Sequence, residues 1–138
     1  MMTPWIVAHK FWHALDYSFP KTQNTNEKIN NLIKDFARSY GIRSSYTNNW
    51  FRLCHILFSF KTARDWDLSL NPDEIVGELI AQYLIQGKVT LNSYDIIVDK
   101  LKRKTMKPSK QSVMDLENNI NAAITELLDL VVGEIVVD

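Results

Sequence analysis

Residues 47–60 read TNNWFRLCHILFSF, and this stretch decides the fold class. Apolar side chains fill most positions from Trp50 to Phe60 and leave only a narrow polar strip, which is typical of a helix buried inside a domain. Thr47 can cap the first turn of such a helix. We therefore predict a central helix over residues 48–62. Because the stretch is rich in aromatic and β-branched residues, a buried strand is the alternative.

Five further segments carry helical periodicity or helix start and stop signals. They run from Pro4 to Ser18, from Thr25 or Asn26 to the residues before Gly41, from Pro72 to Gly87, from Ser93 onward, and from about 111 to 132. The sequence therefore predicts an all-α fold, in which residues 1–138 form a single-domain bundle of about six helices. Pro108 lies in the best candidate for a flexible linker, residues 105–111.

The composition fits one globular domain. The chain has 138 residues, of which 46% are apolar and 23% charged, and these shares exclude a disordered protein. Sixteen Lys and Arg balance sixteen Asp and Glu. A neutral chain is not expected to be drawn as a whole to nucleic acid or to an anionic membrane, so any electrostatic recognition must be local.

The cysteine count and the lengths of the apolar runs indicate the cellular compartment of the protein. Cys54 is the single cysteine, so no internal disulfide can form, and its apolar neighbours predict a packed thiol. The apolar run from Trp5 to Ala8 is too short for a signal peptide core. No segment approaches the ~18 apolar residues of a membrane span. We expect a cytoplasmic protein with no membrane partner.

Three potential metal ligands lie on one side of the first predicted helix. His9, His13 and Asp16 are spaced i, i+4 and i+7, which could bring two imidazoles and a carboxylate together. The same residues flank an aromatic stripe, where a histidine can pack and hydrogen-bond without a metal. Since the chain has neither an HExxH element nor a Cys/His pair at zinc-ligand spacing, we predict no metal site.

Two carboxylate pairs, Glu74 with Glu78 and Asp95 with Asp99, are spaced i and i+4. Such pairs on neighbouring helices could hold a divalent cation for phosphate chemistry. At about 100° per residue, however, both pairs point away from the apolar face of their own helix. We expect all four carboxylates to lie in solvent.

A polar strip on the central helix consists of Arg52, His55, Ser59 and Thr62. It can face water, form a buried hydrogen-bond network or line a groove for a partner. No acid is placed nearby to orient His55, and neither a GxSxG element nor a glycine-rich phosphate loop is present. We therefore predict neither an enzyme nor a bound cofactor.

Charge is distributed unevenly along the chain. Residues 1–110 contain all sixteen bases and ten acids, whereas residues 111–138 contain six acids and no base. Complementary charge speeds association with a basic protein, so the last helix is a candidate partner-binding surface. Its proposed contact residues are Asp115, Glu117, Glu126 and Asp129, and we expect no base to compensate their charge. The basic segment 100–110 is the alternative, as a nucleic-acid contact. Its proposed contact residues are Lys100, Lys102, Arg103, Lys104 and Lys107.

The last predicted helix also carries an apolar stripe that fits nearly three heptads. The stripe consists of Val113, Leu116, Ile120, Ala123, Ile124, Leu127 and Val131. It can pack within the chain or against another chain. Because Glu134 interrupts the next core position, we predict packing within the chain.

Four classes of function follow, in order of preference. The first is a non-catalytic protein-binding module, of the general profile shown by inhibitor and immunity-type proteins that neutralise a partner such as a bacterial toxin. The second is a nucleic-acid-binding regulator that uses residues 100–110. The third is a structural or oligomeric accessory subunit with the last helix as its seam, and the fourth is an enzyme.

Overall fold

The computed structural model describes residues 4–18, 22–39, 53–58, 72–101 and 108–136. All regular structure in these residues is α-helical, which confirms the predicted all-α bundle of about six helices. We label the helical residues 53–57 α3. The other helices are α1 (Pro4–Ser18), α2 (Thr22–Ser39), α4 (Pro72–Gln86), α5 (Tyr94–Leu101) and α6 (Lys110–Val136).

The centre of the bundle is formed by α3 and α4. In α3 and the residue after it, all side chains except the half-buried His55 are buried, so the described part of the predicted 48–62 helix is central. The α4 helix packs against α1, α2 and α6. Every residue from Ile75 to Ala81 is buried, including Gly77 and Glu78, because neighbours surround this part of α4.

The enclosure of α4 overturns one expectation about its carboxylates. Glu78, predicted to lie in solvent, is only 2% exposed. The helical wheel places Glu78 away from the centre of the apolar face of α4, but α4 has no solvent side at this level. Asp95 and Asp99 on α5 are exposed, as predicted. The side chain of Glu74 is outside the described residues.

The second helix begins earlier than predicted, at Thr22 instead of Thr25 or Asn26. Thr25 and Asn26 are buried within it. Packing against the bundle therefore overrides the weak helix propensity of the Thr and Asn residues in this polar stretch.

Gly87 ends α4 and begins the connection to α5. Its N–H donates to the Tyr83 carbonyl at 2.8 Å, and its φ of +84° is in the left-handed region that glycine adopts without steric cost. The connection returns to helix after Ser93, whose carbonyl accepts from the Ile97 N–H at 3.0 Å. Ser93 therefore precedes α5 as the sequence predicted.

The last helix, α6, is longer than predicted and runs from Lys110 to Val136. Residues 110 and 111 of the predicted 105–111 linker are therefore helical, Pro108 is buried, and residues 105–107 are outside the described part. All seven residues of the apolar stripe are buried in the bundle core. This confirms packing within the chain, and the stripe is not available as a seam to another chain.

Among the helices that the structure describes, none is both long enough and apolar enough to cross a lipid bilayer.

Candidate functional site

The candidate partner-binding helix, α6, starts at a well-formed N-terminal cap. The Ser109 hydroxyl accepts from the Ser112 N–H at 3.0 Å, and the Ser109 carbonyl accepts from the Ser112 hydroxyl at 2.8 Å. These bonds satisfy polar groups that a helix terminus otherwise leaves open. With its start capped and its apolar stripe buried, α6 presents the opposite side to solvent in a fixed orientation.

Three of the four predicted acidic residues lie together on that outward side. Asp115, Glu126 and Asp129 are all exposed and fall within about 60° of the helix circumference. Asp115 and Asp129 are separated by about 21 Å along the helix axis. We call these three residues the acidic face.

Two members of the acidic face, Glu126 and Asp115, contact other side chains. Glu126 Oε2 lies 3.2 Å from Lys28 Nζ on α2, and both side chains are largely exposed. The expectation that no base compensates these acids is therefore wrong for Glu126, because α2 packs beside α6 and brings Lys28 to it. Asp115 Oδ1 accepts from Gln111 Nε2 at 2.8 Å, one turn earlier.

Glu117 does not belong to the acidic face. It is half-buried on another side of α6, and its Oε1 accepts from the Leu91 N–H at 2.9 Å. The carboxylate thereby stabilises the connection between α4 and α5. This hydrogen bond gives Glu117 a structural role inside the protein, and its role as a partner contact stays a prediction.

Glu117 is the first of three polar side chains, with Asn121 and Thr125, that follow one edge of α6 at intervals of four residues. Asn121 hydrogen-bonds the backbone of Val89, and Thr125 Oγ1 hydrogen-bonds the Tyr83 hydroxyl at 2.8 Å. We call this row the polar edge. A row of polar residues beside an apolar stripe is visible in the sequence, but it does not reveal which segment the row contacts.

Segment 89–92 connects the polar edge to α3. Val89 and Leu91 are buried while Thr90 between them is exposed. At the end of the segment, Asn92 Nδ2 donates to the Ile56 carbonyl at 2.9 Å, and the Asn92 N–H donates to the Leu57 carbonyl at 2.8 Å. The segment thus satisfies carbonyl groups at the C-terminal end of α3.

The alternative nucleic-acid contact is described only in part. Lys100 is exposed in the last turn of α5. The remaining candidates, Lys102, Arg103, Lys104 and Lys107, are outside the described residues. Beyond them, Lys110 Nζ lies 5.7 Å from the centre of the Tyr94 ring, and the Tyr94 hydroxyl donates to the Pro108 carbonyl at 2.6 Å. These contacts join the start of α6 to the start of α5.

The described residues contain no group of three His, Cys, Asp or Glu side chains that could hold a metal ion. Of the predicted cluster on α1, only the His13 side chain is described, and it is half-buried. Of the polar strip on the central helix, only His55 is described. Burial raises the pKa of the Cys54 thiol well above its usual range, so this side chain is a neutral part of the core.

No protein-family model, curated protein or solved structure matches the chain.

Proposed function

We propose that the chain is a non-catalytic protein-binding module of the inhibitor or immunity type, which neutralises a basic partner such as a toxin domain. The observation that carries the proposal is the exposure of Asp115, Glu126 and Asp129 on one side of α6. Residues 111–138 contain no Lys or Arg, so only bases from other elements, such as Lys28, can offset this charge.

The acidic face suits recognition of a positively charged surface. Opposite charges steer two proteins toward each other before contact, and this raises the association rate. Because the inner side of α6 is packed in the core, the acidic side chains are carried on a helix that does not need to order on binding. A preorganised surface loses less conformational entropy when the complex forms.

A basic nuclease domain is the kind of toxin that fits this chemistry. The nucleic-acid cleft of such a domain is positively charged because it binds phosphates. Carboxylates spaced along a helix can bind to the same basic side chains in place of the phosphates. The single buried Cys54 is compatible with a cytoplasmic site of action, because the fold depends on no internal disulfide.

The test compares two double charge reversals. Asp115→Lys with Asp129→Lys alters the acidic face and spares Glu117, which binds Leu91, and Glu126, which pairs with Lys28. The matched control, Asp95→Lys with Asp99→Lys, makes the same change of charge at exposed positions of α5. The gene for an immunity protein lies directly beside the gene for its toxin, so the candidate partner is the protein encoded by the neighbouring gene. Association with that protein is measured at low and high salt.

We expect the acidic-face variant to associate at least about tenfold more slowly at low salt, and the difference to shrink at high salt as screening increases. The control should associate at the wild-type rate, and both variants should keep wild-type helical content. Equal slowing in both variants, or no slowing in either, would contradict the proposal.

The same proteins are tested against duplex DNA to separate the nucleic-acid alternative. If the chain binds duplex DNA and Arg103→Glu with Lys104→Glu weakens that binding and its salt dependence, the basic segment is the functional surface. In that outcome the acidic-face variant should bind DNA at least as well as the wild type, and the inhibitor proposal is wrong.

A further inference from the structure

We draw no further inference here: the strongest candidate, the exposed apolar face of α1 around Val7 and Phe11, carries no proposal because nothing in the structure shows what covers it.

Discussion

Asn121 on α6 binds both polar backbone groups of Val89, which precedes α5. Its Oδ1 accepts from the Val89 N–H at 2.7 Å, and its Nδ2 donates to the Val89 carbonyl at 2.8 Å. One side chain thus pairs with the backbone as a neighbouring strand would, although none of the described residues is in a strand. Val89 itself is fully buried, so its backbone groups need a partner within the protein.

Asn121→Ala should lower the free energy of unfolding by about 1 to 3 kcal/mol, because it leaves the Val89 N–H and carbonyl without this partner. Chemical denaturation measures the change. Asn118→Ala is the matched control, since Asn118 is exposed on the same helix, and it should stay within about 0.5 kcal/mol of the wild type. Equal effects of the two substitutions would show that the bonds to Val89 add no stability.

Leu57→Ala should cost about 2 to 5 kcal/mol, because Leu57 is fully buried in α3 and its truncation leaves a cavity at the centre of the bundle. Met114→Ala removes a comparable apolar side chain from an exposed position of α6 and should change stability by less than about 0.5 kcal/mol. A loss below about 1 kcal/mol for Leu57→Ala would mean that α3 is peripheral.

Gly87→Ala should destabilise the protein by about 1 kcal/mol through backbone strain alone. The φ of Gly87 is +84°, and an added Cβ would meet no other atom within 4 Å, so steric crowding does not contribute. Gly87→Asn is the control, because asparagine tolerates the left-handed region better than alanine does. Thermal unfolding of the two variants should show the smaller loss for Gly87→Asn, and a stabilised Gly87→Ala would contradict the assignment.

Stability should depend on the Cys54 thiol at alkaline pH. The folded protein keeps this thiol protonated because burial raises its pKa, whereas the unfolded chain loses the proton near the ordinary pKa of about 8.5. Above that pH the unfolded state binds fewer protons than the folded state, so the free energy of unfolding falls as pH rises. Cys54 contributes up to about 1.4 kcal/mol per pH unit to this fall.

The measurement compares the wild type with Cys54→Ala by chemical denaturation at several values between about pH 8 and pH 10.5. All other ionisable groups are common to the two proteins, so the difference between the two slopes isolates the thiol. The variant should lose stability less steeply with pH, whatever its stability at neutral pH. Parallel curves would show that Cys54 reaches solvent in the folded protein.

The number of helices, and which face of most helices is buried, could be predicted from periodicity and from helix start and stop residues. The observed bounds of α1, Pro4–Ser18, and the end of α4 before Gly87 match the predicted bounds. They could be predicted because prolines, capping residues and glycine determine helix ends within a single turn. The apolar stripe of α6 was equally clear. The start of α2 at Thr22 was missed, because burial of Thr25 and Asn26 depends on helices far away in the chain.

The candidate site was predictable only in part, for the same reason. A helical wheel places Asp115 and Asp129 on the outward side of α6, and both are exposed. A helical wheel does not show that segment 89–92 packs beside Glu117, so the hydrogen bond from the Leu91 N–H could not be predicted. It also does not show that α2 packs beside Glu126, so the ion pair with Lys28 could not be predicted either. Glu78 is predicted to lie in solvent but is buried. Its exposure depends on how many helices pack around α4, which the pattern within α4 does not show.

The hydrogen bonds of segment 89–92 to α6 and α3 join residues 26 to 36 positions apart in the chain. Individual helices form within about a microsecond from contacts between near neighbours, whereas these bonds must wait until two distant helices have already met. We therefore expect the segment to dock after the rate-limiting step of folding. Interactions absent from the transition state slow unfolding without speeding folding. The loss in Asn121→Ala should then appear mainly in the unfolding rate, so the polar edge governs how long the folded bundle persists.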